Sequence, residues 1–304
     1  MVYRANGERR DWNLGMRTSI ALTANWRFAK PGEQEITVDL PHTWNNIDGQ
    51  DGGSDYWRGT CVYQKAFPKP QFGADQRVYL EFRGVNASAR VELNGRTVGA
   101  HDGGYSAFRW DVTDLIGDEN ALTVHVDNSR NDRVYPQKAD FTFYGGIYRD
   151  VLLIVVNKDH FDMDYYGGSG LKITPTVDDK DGRVRVETFH NAEGAQVNVR
   201  LLDADGKLVA EGEGTDVTLV IPGVHLWDGV KDPYLYTCEA ALVVDGKETD
   251  RVSAGSAYEL SRWSRIRASS STGGPIPSTA SAATRTGRVS AARSPVSTMT
   301  PTWP

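Results

Sequence analysis

Cysteine is nearly absent from this chain. Cys61 and Cys238 are its only two, far apart in sequence, so a disulfide framework or a thiolate metal site has no basis and both read as unpaired buried thiols in separate domains. Long apolar runs are absent as well, and none could span a bilayer. The opening MVYRANGERRDWNLGMRTSI has no apolar stretch behind its charged start, which argues against a secretory signal and makes the cytoplasm the expected location. The sequon at Asn86–Ser88 then carries no glycan. Metal-ligand spacing is missing among the six histidines, so His42, His101 and the others read as structural, and no metal or cofactor is expected. GGSGLK lacks the spacing and the following Ser or Thr of a phosphate loop. Nor is there a basic stripe: the net charge is -6, so neither nucleic acid nor an anionic membrane is an expected partner, and neutral ligands fit better.

What the chain does have is 31 glycines, 13 prolines, 8 tryptophans and 13 tyrosines over 304 residues, the composition of many short strands joined by tight turns in two domains. Apolar and polar residues alternate in RVYLEF (77–82), ARVELNGRTVGAH (89–101) and NALTVHVDN (120–128), the pattern of half-buried strands. Asn94-Gly95 splits the second of these as a hairpin turn, because both residues tolerate the positive φ of a type I′ turn. DVTDLIGDEN (111–120) reads as one helical turn, and IYRDVLLIVV (147–156) leads to the glycine-rich connector DYYGGSG (164–170). A second strand series follows, with hairpin turns at Asp205-Gly206 and Asp245-Gly246, and describes a β-sandwich of immunoglobulin type.

From Gly255 the patterning stops. About half of the remaining residues are Ser, Thr or Ala broken by Pro and Gly, a composition that cannot bury enough apolar surface to offset ordering. Six arginines against Glu259 make residues 255–304 +5, which leaves -11 on residues 1–254. A low-complexity tail is one reading. A change of reading frame is the other: read one nucleotide earlier, the codons of Gly255–Gly273 allow RFGIRTFEVDPDRGFFLNG and those of Pro275–Thr286 allow PYPLYGVSRHQD, and strand alternation and an Asn-Gly turn return.

Residues 17–254 resemble the two non-catalytic N-terminal domains of glycoside hydrolase family 2, with the β-galactosidases as the nearest type. The resemblance rests on LPHTWN (40–45), RVELNGRTVGAHDGGYSAFRWDVTD (90–114), YGGIYRDV (144–151), HFDMDYYGGSGLKITPTV (160–177) and HLWDGVKDPYLYT (225–237). The shifted reading is similar to that family's next segment, the start of its catalytic (β/α)8 barrel.

The resemblance implies an all-β chain: an unassigned leader over 1–16 with Met1 or Met16 as the start, a jelly-roll sugar-binding sandwich over 17–166, an immunoglobulin-like sandwich over 167–254, and a disordered tail over 255–304 in place of the barrel. It implies hydrolysis of terminal β-galactosides by the intact enzyme and silence of this chain, because both catalytic carboxylates would lie in the barrel. No catalytic residue is assigned. Asp140, ten positions before Asp150, stands where the β-galactosidases have an aspartate that accepts hydrogen bonds from sugar hydroxyls, and a solvated loop aspartate is the competing reading. Asp55, Tyr56 and Arg58 occupy another loop that faces the active site in relatives.

Trp57, Tyr105, Trp110, Phe143 and Tyr144 could stack on sugar rings, with core packing as the alternative and the better one for Trp110; Trp227 reads as the buried tryptophan of the second sandwich. A β-galactoside is the implied ligand, and the barrel or further copies of the chain are the implied protein partners. A stand-alone carbohydrate-binding module and an interaction module are the other two readings.

Overall fold

The computed structural model of the chain describes residues 16–46, 48, 56–135 and 142–259. The first sandwich contains a six-stranded antiparallel sheet in the order β3 (Ile36–Val38), β2 (Trp26–Ala29), β4 (Thr60–Pro68), β10 (Glu119–Asp127), β7 (Ser88–Leu93) and β8 (Arg96–Asp102). A four-stranded sheet packs against it: β1 (Thr18–Ala21), β12 (Val151–Asn157), β5 (Gln76–Phe82) and β9 (Phe108–Asp111). A short pair, β6 (Val85–Asn86) and β11 (Gly146–Ile147), closes one end. The second sandwich sets β13 (Leu171–Asp178), β14 (Asp181–Thr188) and β17 (Asp216–Ile221) against β16 (Leu208–Glu213), β15 (Gln196–Leu202), β18 (Tyr236–Val244) and β19 (Lys247–Ser256). The only helix among the described residues is the 3-10 turn Thr113–Leu115, inside DVTDLIGDEN.

The turns follow from their residues. Asn94 and Gly95 have φ of 54° and 74°, and Asp245 and Gly246 have 50° and 74°, the paired positive φ that joins β7 to β8 and β18 to β19. At Asp205-Gly206 only the glycine has positive φ, 80°, and the longer loop is held by Asp203, whose carboxylate accepts from the amides of Asp205 at 3.0 Å and Lys207 at 2.8 Å.

VLLIVV is a continuous apolar run because β12 is buried on both faces. Val151, Leu153 and Val155 enter the core of the first sandwich with Trp26, Tyr63, Leu80 and Phe82. Leu152, Ile154 and Val156 form a second cluster with Tyr79 and Met163 on the opposite face, where the connector crosses toward the second sandwich. Each of these side chains contributes about 1.5–3 kcal/mol by leaving water.

Three side chains tie the sandwiches together. The Arg17 guanidinium, fully buried, binds both oxygens of Asp250 on β19 at 3.0 and 2.6 Å, and Asp250 also accepts the Phe161 and Arg251 amides. Asn157 donates to the Thr249 carbonyl at 2.6 Å. Arg109 on β9 pairs with buried Glu81 and donates to the carbonyls of Met163, Gly167 and Gly168, which fixes the course of the glycine-rich connector.

Two expectations are corrected. Trp227 is half-exposed and outside the second core; the large aromatics there are Phe161, Tyr236 and Tyr258, the last two meeting edge to face at 5.3 Å. The second sandwich also runs past residue 254, because β19 reaches Ser256 and Tyr258 is buried in the core. Burial at 252, 256 and 258 is carried partly by polar side chains, so no apolar alternation marks the strand's end. Residues 260–304, including most of the expected tail, lie outside the described residues, as does the leader up to residue 15.

Candidate functional site

Strand register gathers the loops of interest at one end of the six-stranded sheet. Thr60 at the start of β4 pairs with Asp127 at the end of β10, Asp127 with Ser88 at the start of β7, and Ser88 with Asp102 at the end of β8. The segments carrying Tyr56 and Arg58, Asn128 and Ser129, Asn86 and Ala87, and Gly103 to Tyr105 therefore leave the sheet side by side. Asp102 adds a tie between two of them: it accepts from Ser88 at 2.5 Å and from Arg133 at 2.9 Å.

Asn45, fully buried, organises this end. Its carbonyl oxygen accepts from the Gly145 amide at 2.8 Å and from Asn128 at 3.1 Å, and its amide nitrogen donates to Asp48 at 2.7 Å and to the Trp57 carbonyl at 2.9 Å. Asn128 in turn accepts from the Gly59 amide at 3.0 Å. A buried amide with both ends satisfied, by its own loop and by three other segments, locks them in one arrangement. Asparagine suits the task because one side chain offers donors and an acceptor together. The signal in the sequence is LPHTWN, which pointed to a family and not to a network.

Tyr56 and Arg58 come together as expected. The Tyr56 hydroxyl donates to the Phe143 carbonyl, and the Arg58 guanidinium lies over the Tyr56 ring at 4.7 Å and the Phe143 ring at 5.2 Å. Burial pushes the Tyr56 phenol up, against the pull of Arg58. Asp55 and Asp140 lie outside the described residues; Tyr56, which follows Asp55, and Phe143, three positions past Asp140, are the two residues this contact joins. Beside the pair opens a cleft lined by Arg58, Asn86, Tyr105, Asn128, Tyr135 and Phe143 among others. Tyr105 and Tyr135 are exposed at its rim and Tyr144 is exposed close by, the first two being residues of which only Tyr105 was singled out from the sequence.

The other candidates sort themselves by packing. Trp110 packs on Phe82 and Phe108 as a core residue. Trp57 is half-buried, meeting Trp44 edge to face at 6.0 Å, with the Lys30 ammonium over its ring at 5.1 Å, so it packs within the loop end. His42 bonds Tyr63 at 2.7 Å and His101 bonds the Gly103 carbonyl at 3.1 Å, and burial lowers the pKa of both. Asn86 is buried and donates to the Tyr144 carbonyl at 2.8 Å, so its amide is committed. Among the described residues no cluster of side chains has the make-up of a metal site, and no helix is long and apolar enough to cross a membrane.

Comparison with known proteins gives this arrangement a family. Residues 10–157 match the domain described as Glycosyl hydrolases family 2, sugar binding domain, and residues 169–255 match the one described as Glycosyl hydrolases family 2. The first match begins inside the segment left unassigned from the sequence. A β-glucuronidase of Bacteroides fragilis is 34% identical over 257 residues, which cover 78% of this chain and 37% of the relative. A β-galactosidase of Thermoanaerobacter pseudethanolicus is 28% identical over 228 residues, covering 70% of this chain and 30% of the relative. Among solved structures, an FMN-binding β-glucuronidase from Facaelibacterium prausnitzii L2-6 superposes with a TM-score of 0.75 at 38% identity, over 80% of this chain and 39% of that one. The chain thus spans less than half the length of each of these relatives. Two domains of one family follow each other here in the order of the two sandwiches and take in most of the sequence, and the chain belongs to glycosyl hydrolases family 2.

Proposed function

We propose that residues 17–254 are the two non-catalytic N-terminal domains of a family 2 β-glycosidase that removes a terminal β-linked hexose unit, and that this chain is catalytically silent by itself. The observation that carries the reading is the loop end locked by Asn45, which holds Tyr56, Arg58 and Phe143 around a cleft on the domain matched as sugar binding. Asp140 and Asp55 are the proposed acceptors for sugar hydroxyls. Hydrolysis needs two carboxylates flanking the scissile bond, and none lines the cleft among the described residues. Motif resemblance favours a β-galactoside as substrate. The names of the 34% and 38% identical relatives favour a β-glucuronide, and we adopt the glucuronide reading with the galactoside as its rival.

The change of reading frame near Gly255 is part of the proposal, and packing supports it. Tyr258 in the second core and Ser256 beside it both bury a hydroxyl, and each has at most the other as its hydrogen-bond partner, which leaves hydrogen-bonding capacity unused. An unpaired buried hydroxyl costs about 1–3 kcal/mol. The shifted reading puts phenylalanine at position 256 and isoleucine at position 258, two side chains with nothing to leave unpaired. Resequencing the DNA from the codon for Val252 onward, then assaying this chain and the frame-corrected protein on p-nitrophenyl β-D-glucuronide and β-D-galactoside, tests the whole reading. Activity only in the corrected protein is expected. Turnover by this chain alone, or an unaltered frame with no barrel behind it, overturns it.

A further inference from the structure

We propose that Asn94-Gly95 is a deamidation site held shut by the fold: it stays asparagine while the chain is folded, converts when the chain opens, and the product does not re-form the native turn. Asparagine before glycine is prone to this change because no side chain shields the glycine amide. The Gly95 nitrogen attacks Asn94 Cγ and the Cγ–Nδ2 bond breaks; ammonia leaves with the two amide protons and the one lost by Gly95. Water then opens the five-membered imide at either carbonyl, giving aspartate or, with the main chain rerouted through the side chain, isoaspartate. Water is the only co-reactant.

Nothing steric protects the pair. Both residues are exposed at the tip between β7 and β8, and a β-carbon added at Gly95 would meet nothing within 4 Å. The protection comes from hydrogen bonds. Asn94 Nδ2 donates to the Leu115 carbonyl at 2.8 Å and to Asn120 Oδ1 at 3.0 Å, its Oδ1 accepts from the Ala121 amide at 2.8 Å, and its own amide donates to the Ala121 carbonyl at 2.9 Å. These bonds draw the side chain onto the segment that enters β10, and closing the imide ring has to turn it out of the three that it makes itself. Asn120 cannot rearrange to follow: it is buried, donates to the Gly117 and Phe67 carbonyls and accepts from the Gly117 amide. An aspartate in place of Asn94 has no proton to donate, so it would face two acceptors, the Leu115 carbonyl and Asn120 Oδ1. Isoaspartate adds a carbon to the main chain of the turn that sets the β7–β8 register.

The test ages the full chain in mildly alkaline buffer, folded and in concentrated guanidinium chloride, and reads residue 94 by peptide mapping with mass spectrometry and an isoaspartate assay. Conversion in the folded chain is expected to be about 100-fold slower than in guanidinium, the factor that three hydrogen bonds supply. Asn120→Ala, which removes one acceptor, is expected to speed conversion in the folded chain about 10-fold; should that variant fail to fold, the folded-to-unfolded ratio in the unaltered chain decides. Asn94→Asp, which makes the change at this residue alone, is expected to unfold at a lower urea midpoint than the unaltered chain. A folded rate less than about 10-fold below the unfolded one, a folded Asn120→Ala variant with an unchanged rate, or an unchanged midpoint for Asn94→Asp overturns the proposal.

Discussion

Replacing Asp250 by alanine is expected to cost about 5 kcal/mol of stability. The carboxylate is fully buried and takes four donors: two from the Arg17 guanidinium at 3.0 and 2.6 Å, the Phe161 amide at 2.8 Å and the Arg251 amide at 2.9 Å. Removing one partner of a buried ion pair costs about 3–5 kcal/mol, because the remaining charge stays desolvated. Two orphaned amides add about 1–3 kcal/mol each if water does not reach them, so the upper end of that range is the working figure. A domain pair with about 5–15 kcal/mol in total loses a large part of it.

The assay is urea unfolding of the full chain followed by tryptophan fluorescence. With a slope near 3 kcal/mol/M, the midpoint should fall by about 1.7 M. Arg17→Met should cost less, because Asp250 keeps its two backbone donors. Combined with Asp250→Asn, it should cost less than the sum of the two single changes by about 2 kcal/mol or more, since the double variant strands no charge. A loss under about 1 kcal/mol for Asp250→Ala, or strict additivity in the cycle, would refute the argument that this pair is a sealed link between the sandwiches.

Three further outcomes are expected. Tyr236→Phe should cost about 1 kcal/mol, read by chemical denaturation, because the Tyr236 hydroxyl accepts the His225 amide at 2.9 Å. Gly170 has φ of +76°, and a β-carbon there would meet the Asp162 amide nitrogen and the Phe189 carbonyl oxygen at 2.8 Å, so Gly170→Ala should cost about 3 kcal/mol and Gly206→Ala, in open space at φ +80°, about 1; thermal unfolding ranks them. Burial pushes the Cys61 and Cys238 thiols up to about 12, so neither should react with a thiol reagent at pH 8 until the chain unfolds. Above about pH 8.5 the unfolded thiols lose protons that the native ones keep, so stability should fall as pH rises from there toward 12, measurable as a declining urea midpoint.

The candidate site was legible unevenly. Tyr56 and Arg58 came from motif position, and their meeting with Phe143 could not, since Arg58 and Phe143 are distant in sequence and meet only in the fold. Asn45 was visible only as the last letter of LPHTWN; besides the local bond to Asp48, it reaches Trp57, Asn128 and Gly145, in segments that sequence spacing does not relate. Trp227 misled because burial was inferred from residue type, and the second core was filled by Tyr236 and Tyr258 instead.

The sequence by itself determined the all-β class, the sites of the hairpins and the two-sandwich order. These follow from short-range causes: period-two alternation and positive φ at Asn-Gly and Asp-Gly. Only the tertiary structure decided that Arg17 and Asp250 meet across the domains, that one amide locks the loop end, and that a cation faces the cleft. Those depend on which strands pair and in what register, a long-range choice that alternation along any one strand leaves open.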